Sequence, residues 1–196
     1  MSARVYLGTQ GYSCPDWVGV FYPPGSRQED YLPLYAHVFD TVELDTTFHR
    51  PPKASVVRSW AEHTPESFRF AVRVPQHIAH DARPLQMAEH LGGFFGALEP
   101  LGPRLGPLLV QLPAEFTRDP DTLGLLDRFL SARPAAARLA VEFRHASWHV
   151  PATVELLRKR GVALTWTEGR ELPRFAQLTT DFLYVRWSGA RHEVAR

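Results

Sequence analysis

A single cysteine, Cys14, stands among 196 residues. That excludes an internal disulfide framework and any multi-cysteine metal site, and it makes a reducing compartment the natural setting. Lysine is nearly missing as well: of the 22 basic residues, all but Lys53 and Lys159 are arginine, a bias that fits the coding habit of a genome better than any chemistry. Net charge is close to absent, at +1, so the chain as a whole lacks the basic footprint that draws in DNA or an anionic membrane, and any basic site must be local. No apolar run of about 18 residues occurs. The opening "MSARVYLGTQGY" also lacks the charged region and apolar stretch of a signal peptide. The expectation is a cytoplasmic protein without a membrane partner. Sequence repeats, low-complexity tracts and linkers are missing too. So are the HxH and HExxH spacings of metal sites, and "GTQGYS" has the wrong glycine spacing and no lysine for a phosphate-binding loop. Nucleotide cofactors are unsupported, no metal ligand is assigned, and the cofactor stays unknown.

What is present reads as a folded chain. Apolar residues at 44% and charged residues at 22% belong to a globular composition rather than a disordered one, and the length asks for one domain over 1–196. Seven strand candidates recur: "RVYLGT", "TVELD", "FRFAVRV", "GPLLVQLP", "LAVEFR", "VALTWT" and "FLYVRW". Between the first two, Tyr31, Leu34, Tyr35, Val38 and Phe39 form one helical stripe, with Asp30 as N-cap and Pro33 in the first turn. Helices are also predicted over 53–62 and 84–98, after Asp119-Pro120, and after Pro151 with Gly161 as terminator. The link "EGRELPRFAQLTTD" is too short and mixed for a helix. Alternating strands and helices predict parallel βα units, because parallel neighbours need a crossover.

Side-chain parity then separates a barrel from an open sheet. Val42 and Leu44 oppose Glu43 and Asp45. Leu139, Val141 and Phe143 oppose Glu142 and Arg144, and Leu183, Val185 and Trp187 oppose Tyr184 and Arg186. A sheet covered by helices on both faces would be apolar on both. One apolar face and one face that turns polar toward the strand ends predict a TIM-type (β/α) barrel with its site at the carboxyl ends. The polar face gathers Gln10, Glu43, Asp45, Arg73, Gln111, Glu142, Arg144 and Arg186. A closed ion-pair network would satisfy these charges without chemistry, but desolvation of several kcal/mol per ion makes it a poor source of stability alone. The reading adopted is an enzyme for a phosphorylated or sugar-like small molecule. Glu43, Asp45 and Glu142 are the candidate acids and bases, and Arg73, Arg144 and Arg186 the anion clamp. Gln10 and Gln111 join the ligand contacts, Tyr12, Phe48 and Trp148 are candidates for stacking on it, and His49 and His80 follow strand ends where a proton carrier would stand. Alternatives are a nucleic-acid-binding protein, ranked lower for want of positive charge; a metal-dependent variant using Glu43, Asp45, Glu142 and His80; and a noncatalytic module that self-associates through edge strands at Val5 to Gly8 and Leu183 to Trp187.

Six stretches carry a resemblance along nearly the whole chain: "GTQGYSCPDWVGVFYP", "FDTVELDTTFHRPP", "FRFAVRVP", "LGPLLVQLP", "AVEFRHASW" and "FLYVRWSG". In these the chain resembles the YecE-like proteins, the domain of unknown function 72 family. The resemblance implies a TIM-type barrel and no established activity. Where the family typically carries Asn, Tyr, Ser and a His-Gly pair, this chain has Asp45, His49, Gln10 and Ser188-Gly189, which adds a carboxylate and removes a histidine from the expected site. The family also implies a further helix and an eighth strand beyond Arg196, so an incomplete barrel is expected. Its gap would be closed by "GARHEVAR" or a partner subunit, or the sequence is a shortened one.

Overall fold

The computed structural model describes residues 3–79, 84–168 and 175–187. Its elements run α1 (Gln28–Ala36), β1 (Thr41–Leu44), α2 (Ala54–Glu62), β2 (Arg69–Arg73), α3 (Gln76–Ala79), α4 (Pro84–Ala97), β3 (Leu105–Gln111), α5 (Pro120–Ser131), β4 (Leu139–Glu142), α6 (Pro151–Arg160), β5 (Ala163–Glu168) and β6 (Tyr184–Trp187). The α/β alternation is as expected from the hydrophobic pattern. The chain forms two compact units, Met1–Gln76 with His90–Leu108 and His77–Glu89 with Leu109–Arg196. Among the described residues no helix is long and apolar enough to cross a membrane.

In the first unit the strand order is β1-β2-β3, with β1 and β2 parallel and Glu43 in register with Ala71. The expected first strand is reduced to one parallel bridge, Gln10 to Glu43, so six strands rather than seven are seen among the described residues. The reason is local. The Thr9 amide, which would continue a ladder, donates instead to the Tyr35 hydroxyl at 2.7 Å, and that hydroxyl donates to the Thr41 carbonyl at 3.0 Å. The segment still lies against β1, since Glu43 N–H donates to Thr9 O at 3.0 Å and Gly11 N–H to Glu43 O at 2.8 Å. Gly8 permits this approach: a Cβ there would fall 1.9 Å from the Thr41 carbonyl oxygen. Val5 and Leu7 are exposed.

Helix α1 starts earlier than expected. Arg27 is its N-cap and Asp30 sits at the third helical position, accepting from the Arg27 amide at 2.8 Å. Pro33 therefore lies inside the helix, past its first turn. The helix ends at Ala36, leaving Val38 and Phe39 outside, although their amides both donate back to Tyr35 O. The core of this unit is aromatic: Tyr22 stacks on Tyr31 at 4.5 Å and Tyr35 on Phe39 at 4.8 Å, while Phe68 meets Phe70 edge-on at 4.9 Å.

The second unit has the order β3-β4-β5-β6, with β4, β5 and β6 parallel. Asp119 caps α5 as its spacing suggests, accepting from the Asp121 and Thr122 amides at 2.9 Å, bonds that hold its carboxyl below the usual range. Gly161 ends α6 in the left-handed conformation, φ 60°, open to glycine at little cost. The helices α5 and α6 are tied by a two-pronged pair from Arg160 to Asp127 at 2.7 and 2.9 Å. Ahead of β6 the described residues 175–181 contain no helix. Thr179 holds that segment to β5 by accepting from the Leu164 amide at 2.8 Å and donating to Val162 O at 2.7 Å.

Candidate functional site

The register of the second unit arranges its inward side chains in rows. Ala140 pairs with Ala163, and with Leu109 they form a buried apolar layer against which Phe182 and Tyr184 pack. Two residues further along, the same faces carry Gln111, Glu142 and Thr165, the last in register with Tyr184; Thr167 is in register with Arg186. An apolar floor thus lies beneath a polar row, as the period of two dictates. Leu112 N–H donates to Glu142 O at 3.0 Å, which sets the end of β3 beside the end of β4.

Glu142 is the centre of that row. Its side chain is 6% exposed. Oε1 accepts from Gln111 Nε2 at 2.6 Å and from Arg144 Nε at 3.4 Å, and Oε2 accepts from Arg186 Nη1 at 2.5 Å. Arg186 reaches from β6 past β5, a distance of roughly 10 Å between strand axes that its long side chain can span. It is 15% exposed, whereas Arg144 is 50% exposed, so one guanidinium is held inside and the other stands at the surface. Four of the expected residues, Gln111, Glu142, Arg144 and Arg186, are therefore in contact. Trp148 is not placed for stacking on a ligand. It is 1% exposed, stacks with the rings of Phe116 at 5.3 Å and Phe143 at 4.8 Å, and donates Nε1–H to Phe116 O at 2.6 Å. Its ring is enclosed within the protein.

The other expected residues, His80 apart, belong to the first unit. Asp45 follows β1 and its Oδ1 lies 3.6 Å from where a Gly11 Cβ would be, at a glycine with φ 75°. Thr47, in the turn after β1, donates to Leu44 O at 2.9 Å and to Arg73 O at 2.6 Å, tying that turn to the end of β2. This sets the Arg73 guanidinium 3.5 Å over the Phe48 ring, a cation–π contact that fixes its plane. His49 meets Phe48 edge-on at 5.6 Å and is exposed. Gln10, also exposed, joins through its backbone bridge to the buried Glu43. The Tyr12 hydroxyl accepts from Trp60 Nε1 at 3.1 Å; burial pushes its pKa up and the Trp60 bond offsets part of that. His80 lies outside the described residues. Among those described, no group of three or more His, Cys, Asp or Glu is placed to hold a metal ion.

The family model for "Protein of unknown function DUF72" matches residues 6–196. The chain belongs to this family. The UPF0759 protein YecE of Escherichia coli K12 is 34% identical over 158 residues, 81% of this chain and 55% of that protein. The UPF0759 protein YunF of Bacillus subtilis is 29% identical over 157 residues, 77% of this chain and 54% of its own. The chain thus spans about half the length of the curated relatives it matches. A DUF72 crystal structure from Thermotoga maritima superposes with a TM-score of 0.82 at 31% identity, over 95% of this chain and 75% of that one. A DUF72 structure from Enterococcus faecalis, at 22% identity, shares the fold with a TM-score of 0.79 over 96% and 72%.

Within this DUF72 chain, sequence reasoning missed two features of the second unit. Thr165 is buried in the row of Glu142, and its Oγ1 makes no hydrogen bond among the described residues. His145 caps the turn Ala146–Trp148: its Nδ1 accepts from the Ser147 amide at 3.2 Å and lies 2.8 Å from Ser147 Oγ, which in turn accepts from the Arg118 amide at 2.8 Å. Strand parity already places Thr165 opposite Leu164 and Trp166; that parity was the available signal. The capping histidine had none beyond its place after a strand.

Proposed function

We propose that this DUF72 chain binds a small anionic molecule, phosphorylated or sugar-like, at the carboxyl ends of its parallel strands, with Glu142 as acid or base. On this reading the strands belong to a TIM-type barrel, whose ligands sit at that end. The observation that carries it is Arg144, half exposed and hooked through Nε to a buried carboxylate. Held there, its planar fork suits a carboxylate or phosphate. A carboxylate offers about four acceptor positions; Gln111, Arg144 and Arg186 occupy three, which leaves Oε2 one direction for a ligand hydroxyl. A purely stabilising role for the cluster is the weaker reading, because packed apolar side chains stabilise a strand end as well or better. In the first unit Glu43 and Asp45 are the corresponding carboxylates, with Arg73 as anion clamp and Gln10, Tyr12, Phe48 and His49 as ligand contacts.

Calorimetric titration with inorganic phosphate and sugar phosphates tests this. Arg144→Ala is expected to weaken binding about 30-fold or more, the usual size of losing a charged contact to an anion, and Glu142→Gln to abolish turnover of any substrate found. Unchanged affinity in Arg144→Ala contradicts the reading. Retardation of DNA or RNA at low salt that this variant removes would replace it with nucleic-acid binding. The exposure of Val5 and Leu7 in the first unit, and of Leu183 just before β6 and Trp187 at its end, favours self-association through strand edges; light scattering that shows one molecular mass at all concentrations would count against it.

A further inference from the structure

Among the described residues, Thr165 is the polar group of the Glu142 row that hydrogen bonding leaves out. It is 5% exposed and its hydroxyl oxygen has no partner among the described residues. A buried hydroxyl without a partner is costly, and native structures seldom keep one without a use. Valine has nearly the same shape, suits a strand, and would remove the cost. The same unit shows how a buried threonine is ordinarily accommodated: Thr179 makes two bonds, to Leu164 N–H and Val162 O. Thr153 also has no partner among the described residues, but it lies on α6 and not in a strand row. Thr165 differs in position. Ala140 is in register with Ala163, so Glu142 and Thr165 stand level on neighbouring strands with their side chains on one face, and Tyr184 continues the row.

Resting on the anion-site reading, we infer that Thr165 Oγ1 is the recognition point for a hydroxyl of the ligand, so that the site takes a hydroxylated anion, a polyol or sugar phosphate, in preference to a bare one. Arg144 holds the charged end at the surface. A hydroxyl of the same molecule bonds Thr165, donating to Oγ1 or accepting from it, beside the open position on Glu142 Oε2. The Thr165 oxygen is covered, and the ligand reaches it by displacing side chains of β6, a strand with no fully buried residue. A site built around a hydroxyl rejects the analogue that lacks it, because its own polar group is then left unpaired.

The test compares glycerol phosphate, propyl phosphate and inorganic phosphate by calorimetry on the wild-type chain and on Thr165→Val. The wild type is expected to bind glycerol phosphate at least 10-fold more tightly than propyl phosphate. In Thr165→Val that preference is expected to vanish while affinity for inorganic phosphate stays the same and the melting temperature does not fall. If wild type binds all three phosphates equally, or Thr165→Val keeps the preference, the inference is overturned while the anion site stands. If wild type binds none of them, both fall.

Discussion

Two four-residue strands, "TVEL" in the first unit and "LAVE" in the second, each carry a glutamate on the face opposite their aliphatic residues, and the structure secures the two in different ways. Glu43 is anchored through its backbone, which receives and donates bonds to the segment Thr9–Gly11. Glu142 likewise accepts a main-chain bond, from the Leu112 amide, but its carboxylate also collects side chains from β3, from β6 and from the loop after its own strand. Equal parity therefore does not mean equal surroundings. A position fixed by main-chain bonds depends on what the neighbouring segment allows, whereas one fixed by side-chain charges depends on the identity of each partner.

Breaking the first kind of anchor should give the largest effect. Gly8→Ala places a Cβ onto the Thr41 carbonyl, and forcing the segment off β1 is expected to cost about 3 kcal/mol in urea unfolding; a loss under about 1 kcal/mol would mean that the segment moves freely. Breaking the second kind comes next. Glu142→Ala strips Arg186 and Gln111 of their shared acceptor and is expected to cost about 2 to 3 kcal/mol by the same method, with Glu142→Gln milder because the amide keeps one acceptor. Arg144→Ala sharpens the contrast, since a half-exposed partner contributes less than about 1 kcal/mol to stability while the anion site is expected to fail.

The smallest effect concerns a pair outside both clusters. Arg160, by its hydrogen bonds to Asp127, holds that carboxyl below the usual range. A depressed folded-state pKa stabilises the fold above the unfolded value, near 3.9, and loses that contribution as pH falls through the lowered value. Asp127→Asn should therefore lower Tm by no more than about 2 °C at neutral pH, and the gap from wild type should close in strong acid. A gap that widens there would reverse the sign.

Parity makes the strand faces and the Gln111, Glu142, Arg144 and Arg186 grouping legible in the sequence, because a period of two needs only the order of residues. Register was not legible, and register is what sets Thr165 level with Glu142. The segment "RVYLGT" has the composition of a strand, but a tyrosine 26 positions away takes the amide of Thr9, a long-range competition that local pattern does not encode. Trp148 failed as a stacking surface for a similar reason: its position after β4 was visible, but the covering rings of Phe116 and Phe143 were not.

The most direct test of the central claim is titration of glycerol phosphate into wild type, Arg144→Ala and, as a charge-matched control away from the strand ends, Arg160→Ala. Binding in wild type and in Arg160→Ala, with a loss of about 30-fold or more in Arg144→Ala alone, is the result this account expects. Equal loss in both variants, or binding in neither variant nor the wild type, would contradict it.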